Sequence, residues 1–174
     1  MRVYIPSTME GLRVLQGDQR LSPAPLHGHA VTPALRESYA VGDTEELEYV
    51  AQLAAASDSL CLLSEDADQP RRRVVLAAEL PEDEIRPAED GDESSVTILI
   101  EIPITHIQSM LVDDPAISDV IARAADAWPA AQTGDDDALF ELDEATAHDL
   151  MWFAIQEISG LLEDADRRQA DLDR

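Results

Sequence analysis

The chain has 174 residues, of which 45% are hydrophobic and 28% are charged, which is enough for one folded domain with its own core. Asp and Glu number 37 against 12 Lys and Arg, giving a formal net charge of −25. This charge disfavours direct binding to nucleic acids and to membrane surfaces, because both depend on basic side chains. No apolar run approaches the roughly 18 residues of a membrane span, and no signal-peptide pattern opens the chain, so we expect a cytoplasmic protein.

The first part of the chain predicts short strands interleaved with helices. Strands are predicted at 2–5 and 29–31, helices at 8–16, 32–39 and 44–63, and a loop at the proline-containing stretch 17–28. Thr32 followed by Pro33 is typical of a helix start, with the threonine as N-cap. Asp43 and Glu46 have the spacing of a capping box, which makes 44–63 the clearest predicted helix.

The remainder predicts clustered strands followed by helices. Apolar runs predict strands at 74–80, 96–102 and 109–112, helices at 115–128 and 143–164, acidic flexible loops at 82–95 and 130–137, and a polar tail at 166–174. We therefore expect an α+β fold in which a single domain at 1–165 packs a small mixed or antiparallel sheet against helices. The C-terminal third of this domain is predicted to be helical.

Carboxylates after a predicted strand are the first candidates for chemistry. Asp113 and Asp114 are adjacent, so their repulsion would be relieved by a bound cation or a raised pKa. They are candidate catalytic residues and, together with Glu46 in the first turn of a helix, candidate ligands for a hard divalent metal. The alternative is purely structural, because Asp-Asp-Pro also forms an ordinary turn with a helix cap, and acidic pairs are expected by chance in so acidic a chain.

Two histidines have the spacing of a strand-borne chelate. His27 and His29 alternate, so on a strand both rings would face the same side and could bind one metal ion. The predicted strand is short, however, and no HExxH or multi-cysteine motif accompanies the pair. A structural role for these histidines is therefore the favoured interpretation, and a chelate is the alternative.

Basic residues provide candidates for binding an anion. Arg71, Arg72 and Arg73 lead directly into a predicted strand and would suit a phosphate, a carboxylate or an acidic peptide. Arg36, with the backbone donors that follow Thr32, is a second candidate. The alternative is that these arginines only neutralise neighbouring acids. Glycine-rich phosphate loops and lysine are absent, so we expect no cofactor and no Schiff-base chemistry.

Three stretches carry a resemblance to a known family: a first strand at 2–5, the sequence VTPALRE at 31–37 and the sequence GDTEELEY at 42–49. With these, the chain resembles a family of uncharacterised actinobacterial proteins of similar length. The resemblance implies a GC-rich actinobacterial source and a cytoplasmic single domain. It implies no activity and no catalytic residue.

The acidic composition favours a non-enzymatic function. We expect a cytoplasmic protein-binding or regulatory module whose acidic surface attracts a basic protein partner, in the extreme case by mimicking DNA. The helix predicted at the C-terminal end is a candidate face for docking or for a homodimer. The alternative is a small carboxylate-metal hydrolase that uses Asp113, Asp114 and Glu46, so the sequence leaves open whether the protein is an enzyme.

Overall fold

The computed structural model describes residues 1–39, 42–172 and 174. Residues 40, 41 and 173, which belong to the predicted domain and tail, lie outside these ranges. The strands are β1 (Arg2–Ser7), β2 (Arg20–Leu21), β3 (Leu26–Ala30), β4 (Val74–Glu79), β5 (Ile85–Pro87), β6 (Ser95–Ile98), β7 (Ile102–Pro103), β8 (Ile107–Val112) and β9 (Met151–Ala154). The α-helices are α1 (Met9–Asp18), α2 (Pro33–Ser38), α3 (Thr44–Glu65), α4 (Ser118–Ala131), α5 (Asp136–Thr146) and α6 (Ile158–Leu172).

Seven strands form one antiparallel sheet in the order β5-β6-β3-β1-β4-β8-β9, and β2 pairs with β7 in a separate two-stranded sheet. β1 lies at the centre of the large sheet, where Tyr4 stands opposite His29 of β3 and Ala77 of β4. Side chains directly opposite each other in an antiparallel pair point to the same face, so these three residues share a face. The sheet and its helices confirm the predicted α+β single domain.

Alternation along the central strands divides the core between the two faces of the sheet. One face packs against α1 and α6, with a core that includes Val3, Ile5, Met9, Leu12, Leu15, Leu76, Met110, Ile158, Leu161 and Leu162. The other face packs against α3, with a core of Tyr4, Ala51, Ala55, Ala56, Val75, Ala77 and Leu111. The alanines on α3 are small, which lets this helix approach the sheet closely. Farther along α3, Leu60 and Leu63 pack against α4 and α5.

Side-chain caps start the helices where the sequence predicts them. Asp43 accepts from the backbone N–H of Glu46, and the Glu46 carboxylate accepts from the backbone N–H of Asp43, which confirms the capping box of α3. Thr32 caps α2 by accepting from the N–H of Leu35. These predictions hold because each cap needs only residues that are adjacent along the chain.

The helix predicted at 143–164 is wrong in its central part. α5 ends at Thr146, strand β9 follows, and α6 begins at Ile158. β9 pairs with β8, placing Trp152 opposite Leu111 and Phe153 opposite Met110. The apolar residues that suggested a helical stripe are thus shared between a strand and the helix after it. Pairing with the free edge of β8 satisfies backbone groups that a continuous helix would have left exposed at that edge.

Four other segments contain more regular structure than predicted. The stretch at 17–28 includes β2 and most of β3, and the acidic stretch at 82–95 includes a 3-10 turn (Glu82–Glu84), strand β5 and the first residue of β6. α5 begins within 130–137, and α6 continues through the predicted tail as far as Leu172. Pairing with distant strands organises the first two segments, and such pairing has no local signal. Within the described ranges, no helix has both the length and the apolar character to cross a membrane.

Candidate metal centre

Strand β3 places two imidazole rings on the face of the sheet that α3 covers. His29 shares that face with its cross-strand neighbour Tyr4, and His27, two residues away, points the same way. Gly28 lies between them, so a side chain at this position would point to the opposite face of the sheet. A Cβ at this position would lie 3.0 Å from the Tyr4 carbonyl oxygen and 3.3 Å from Ile98 Cδ1, so glycine lets β3 lie close against β1.

Helix α3 supplies a carboxylate to the same face. Asp58 follows Ala51 and Ala55 at the spacing that keeps residues on one side of a helix, so it lies at the sheet-facing side. The next residue, Ser59, is fully buried and anchors the helix. Its hydroxyl donates to the carbonyl of Ser7 at 2.7 Å and accepts from the N–H of Val74 at 2.9 Å. Asp58 is therefore held at a defined position above β3.

The three side chains meet at one oxygen atom. Asp58 Oδ2 lies 2.8 Å from His27 Nε2 and 2.8 Å from His29 Nε2. The two imidazole rings are 5.0 Å apart at an interplanar angle of 82°. The side chain of His29 is 3% exposed, whereas those of His27 and Asp58 are 47% and 39% exposed. The cluster thus has a buried side at His29 and a side that is open to solvent.

A second layer of hydrogen bonds holds the buried ring of His29. Its Nδ1 lies 2.7 Å from the hydroxyl of Ser94, which donates to Asp92 Oδ1 at 2.6 Å. Asp92 also accepts from the backbone N–H of Ser94 at 2.8 Å. The turn before these residues contains Gly91 at φ +132°, where a Cβ would lie within 2.6 Å of the Ser95 side chain. Glycine is therefore needed for this turn to place Ser94 against His29.

The carboxylates of this cluster are held in the ionised form. Burial raises the pKa of Asp58, but hydrogen bonds from His27 and His29 outweigh it and hold the pKa well below its ordinary value. Burial also raises the pKa of Asp92, and hydrogen bonds from Ser94 and Ser95 outweigh it in the same way. The hydrogen bond to Asp58 raises the pKa of His27 above its ordinary value.

The hydrogen bond between Ser94 and Asp92 determines which nitrogen of His29 carries hydrogen, and this bears on the contact between His29 Nε2 and Asp58 Oδ2. The Ser94 hydroxyl has one hydrogen and donates it to Asp92, so it must accept from His29 Nδ1–H. In a neutral ring, Nε2 then carries a lone pair, yet it points at an oxygen of the ionised Asp58 carboxylate. In this tautomer a cation between the two atoms makes the contact favourable, whereas in the other tautomer Nε2–H donates to Asp58 and Nδ1 accepts from Ser94.

This donor set fits a divalent transition metal. Two imidazole nitrogens and a carboxylate oxygen are common ligands of Zn²⁺, with bond lengths of about 2.0–2.2 Å. Tetrahedral ligands at such distances lie roughly 3.3 Å apart, so the atoms of this cluster would separate by about 0.5 Å to admit an ion. Among the described residues, these three form the one group of three potential ligand atoms that lie within 4.8 Å of one another. Ser94 supplies the outer hydrogen bond that metal-bound histidines usually make.

The carboxylates predicted from the sequence lie elsewhere and are not brought together. Asp113 is fully buried, and its two carboxylate oxygens accept from the side chain of Arg73 at 2.9 and 2.8 Å. Asp114 accepts from the N–H of Ala116 and caps the turn that precedes α4. Glu46 belongs to the capping box of α3. Each of the three therefore stabilises a local structure in its own part of the fold.

The predicted anion-binding residues also lie in different places. Thr32 is 4% exposed and donates a hydrogen bond to the carbonyl of Glu93, so it supports the turn that carries Ser94, while Arg36 is exposed on α2. In the arginine triplet, Arg71 donates to the carbonyl of Leu63 at 2.6 Å, and Arg73 is occupied by Asp113. Arg72 borders a cavity.

The sequence raises a chelate by His27 and His29 but favours a structural role for them, and it gives no indication of Asp58, Ser94 or Asp92. The local signal that could reveal Asp58 is a carboxylate on the side of α3 that otherwise carries small apolar residues. Ser94 and Asp92 have no such signal. They lie in the acidic stretch 82–95, and Ser94 contacts His29 across 65 residues of chain.

Comparisons with known proteins agree with the resemblance seen in the sequence. No curated protein and no solved structure matches the chain. A family described only as one of unknown function, DUF6912, matches residues 1–162, which include every strand of the sheet and the whole histidine–aspartate cluster. The chain therefore belongs to this family of unknown function.

Proposed function

We propose that this protein binds one divalent transition-metal ion through His27, His29 and Asp58. The observation that carries the proposal is the contact of both Nε2 atoms with Asp58 Oδ2 at 2.8 Å. A cation at this point is attracted by an ionised carboxylate and accepts the lone pairs of both rings. The Ser94–Asp92 pair supports it by holding a hydrogen on Nδ1 of His29, which leaves Nε2 as the ligand atom.

The open side of the cluster determines what chemistry such an ion would supply. Three protein ligands are typical of catalytic zinc sites, in which water or substrate takes the remaining position, whereas structural sites usually have four. The exposed faces of His27 and Asp58 leave that position facing solvent. A bound ion would there polarise water or a carbonyl group, which is the chemistry of a metal-dependent hydrolase. The hydrolase hypothesis is thereby better served by this cluster than by Asp113, Asp114 and Glu46.

The test is a Zn²⁺ titration of the metal-free protein, read by calorimetry and by thermal unfolding. We expect about one ion per chain and a stabilisation of about 2.7 kcal/mol when free Zn²⁺ is one hundred times the dissociation constant. His27→Gln and Asp58→Asn should each remove most of this effect. The matched control is His106→Gln, which changes an exposed histidine on another turn and should bind Zn²⁺ as the unmodified protein does.

Two outcomes would contradict the proposal. In one, Zn²⁺ binds equally well to the His27→Gln, Asp58→Asn and His106→Gln variants. In the other, Mg²⁺ and a matched ionic strength of NaCl stabilise the protein as much as Zn²⁺ does, because the effect would then be screening of the −25 charge. Co²⁺ provides an independent readout, since its visible spectrum changes when imidazole nitrogens replace water.

A second candidate function is docking of a basic protein partner, which is favoured by a specific surface of α5. Asp136, Phe140 and Asp143 follow one another at helical spacing, all three are exposed, and the Phe140 side chain is 67% exposed. An aromatic ring between two carboxylates suits a segment that presents Lys or Arg beside an apolar side chain. The long-range attraction of the −25 charge supports the same choice of partner.

Affinity capture tests this candidate with a charge-matched control. The protein and an Asp136→Asn/Phe140→Ala/Asp143→Asn variant are used as baits at low and high salt. We expect a basic protein that is retained by the unmodified bait at low salt and lost from the variant and at high salt. The control bait, Glu89→Gln/Asp90→Asn, removes two exposed charges elsewhere and should retain the partner. Equal capture by the α5 variant, or recovery of only a second copy of this chain, would contradict docking of a basic partner at α5.

A further inference from the structure

A cavity of about 830 Å³ lies apart from the histidine–aspartate cluster. Its walls come from 68–72 before β4, from 114–119 at the start of α4, and from the C-terminal half of α6. The volume falls within the range of pockets that bind small molecules. The cavity brings together parts of the chain that are distant in sequence, and one of its walls carries a buried cation.

That cation is Arg72, which is 7% exposed. Its Nε donates to the carbonyl oxygen of Asp113 at 2.8 Å, which orients the guanidinium at the cavity wall. Within residues 1–39, 42–172 and 174, Nη1 and Nη2 of Arg72 have no hydrogen-bond or ion-pair partner. Among the described residues, the one fully buried side-chain polar atom without a partner is Gln69 Oε1, so Nη1 and Nη2 of Arg72 are open to the cavity. An anion that enters the cavity can therefore accept from both nitrogens.

The neighbouring arginines show that this feature is particular to Arg72. Arg73 uses its side chain on both oxygens of Asp113 and on the carbonyl of His148. Arg71 donates to the carbonyls of Leu63 and Ala67. Each of these two arginines uses two of its three guanidinium nitrogens to stabilise the fold, whereas Arg72 uses only Nε. Arg72 is therefore the side chain of the triplet with the most donors available to a ligand.

A second cation, Arg168, lines the same cavity as Arg72. Arg168 lies on α6 and is exposed. Burial, and then repulsion from Arg168, lower the pKa of Arg72, while attraction to Asp113 and Asp114 opposes the shift. An anion between the two guanidinium groups would convert this repulsion into two attractive interactions.

The acidic residues of the cavity limit the charge of the ligand. Five aspartates also line it, namely Asp68, Asp114, Asp119, Asp166 and Asp171. They would repel a polyanion such as a nucleic acid or a polyphosphate chain. They would tolerate a molecule with one anionic group directed at Arg72 and a neutral or cationic remainder directed at the aspartates.

We propose that this cavity binds a small molecule through a single carboxylate or phosphate group, held by the free guanidinium nitrogens of Arg72 with Arg168 as a second cation. This inference is independent of the metal site. Arg72 is the anchor because it is buried and oriented, and Arg168 strengthens the attraction from the exposed side.

The test is a titration of the ¹⁵N-labelled protein with acetate and, separately, with inorganic phosphate at constant ionic strength, followed by amide chemical shifts. We expect saturable shifts confined to 70–72, 114–118 and 165–169. Stronger binding of acetate would identify a carboxylate ligand, and stronger binding of phosphate a phosphate ligand. Arg168→Gln should weaken binding about fivefold, as expected for an exposed charge. Arg72→Gln should weaken it about tenfold or more, because charge-assisted hydrogen bonds to a buried group are lost.

Arg86→Gln is the matched control, since it removes an exposed arginine of β5 far from this cavity in the sheet order. It should bind both probes as the unmodified protein does. Because Arg72 is buried, the Arg72→Gln variant is used only if its amide spectrum is that of a folded protein. If it is not, the comparison of Arg168→Gln with Arg86→Gln is the test. Shifts that grow linearly without saturation, equal affinity in Arg168→Gln and Arg86→Gln, or tighter binding of tripolyphosphate than of acetate and phosphate would overturn the proposal.

Discussion

Arg73 and Asp113 form a doubly hydrogen-bonded ion pair that joins the start of β4 to the end of β8. Nε of Arg73 donates to Asp113 Oδ2 at 2.9 Å and Nη2 donates to Oδ1 at 2.8 Å, and the two side chains are 3% and 0% exposed. The backbone N–H of Arg73 also donates to Asp113 Oδ2 at 2.7 Å. The pair thus satisfies backbone and side-chain groups at one end of two central strands.

Loss of Asp113 should therefore destabilise the fold rather than impair chemistry. We expect Asp113→Ala to lower the free energy of unfolding by about 3–5 kcal/mol, because it leaves a buried guanidinium without its partner. Asp114→Ala, which removes only a turn cap, should cost about 1 kcal/mol. Urea unfolding measures both. Equal stability of the two variants would show that the Arg73–Asp113 pair contributes little, and would return Asp113 to the list of candidate catalytic residues.

Ser94 should act on the proposed metal site without being a ligand. Ser94→Ala removes the oxygen that accepts from His29 Nδ1, so the imidazole loses its orientation and its preferred hydrogen position. We expect the Zn²⁺ dissociation constant to rise about 10–100-fold while one ion per chain is retained. Calorimetric titration measures this change, and Ser38→Ala on α2, whose hydroxyl bonds only to its own helix, serves as the control. An unchanged dissociation constant in Ser94→Ala would mean that this hydrogen bond does not support a metal ligand.

Ser59 should be important for the position of α3 against the sheet. In Ser59→Ala the buried N–H of Val74 loses its acceptor and the carbonyl of Ser7 loses its donor. Leaving such groups unsatisfied should lower the free energy of unfolding by about 1–3 kcal/mol. Hydrogen exchange should show faster exchange at Val74 in particular. Ser64→Ala, at a partly buried serine near the end of the same helix, is expected to change stability little and to leave exchange at Val74 unaltered.

Two glycines should respond to alanine in opposite directions. At Gly91 the backbone has φ +132°, and a Cβ would lie 2.5 Å from Ser95 Oγ, so Gly91→Ala should lower the free energy of unfolding by about 1–3 kcal/mol. At Gly160 in α6 nothing lies within 4 Å of a Cβ, so Gly160→Ala should raise it by about 0.5–1 kcal/mol through helix propensity. Thermal unfolding measures both changes. Stabilisation by Gly91→Ala would contradict the tight turn that carries Ser94.

Predictions from the sequence succeeded where one stretch of chain is sufficient to produce the structure. Thr32 and the Asp43–Glu46 box start their helices because a cap and its N–H donors are at most a few residues apart. The predictions failed where a distant partner decides the outcome. β9 is the clearest case, because the apolar spacing of 143–164 predicts a helix, whereas Trp152 and Phe153 pair with Leu111 and Met110 of β8.

The candidate site divides in the same way. Alternation alone puts His27 and His29 on one side of a strand, and the excess of acids alone makes the protein strongly negative; both follow from the sequence by itself. Only the tertiary structure brings Asp58 from α3 and Ser94 from a distant turn to those rings. It also gives Arg71, Arg72 and Arg73 different hydrogen-bond partners, although they are adjacent in the chain. The physical reason is that backbone geometry and net charge are set by adjacent residues or by composition. The environment of a carboxylate or a guanidinium is instead set by whichever distant elements pack around it.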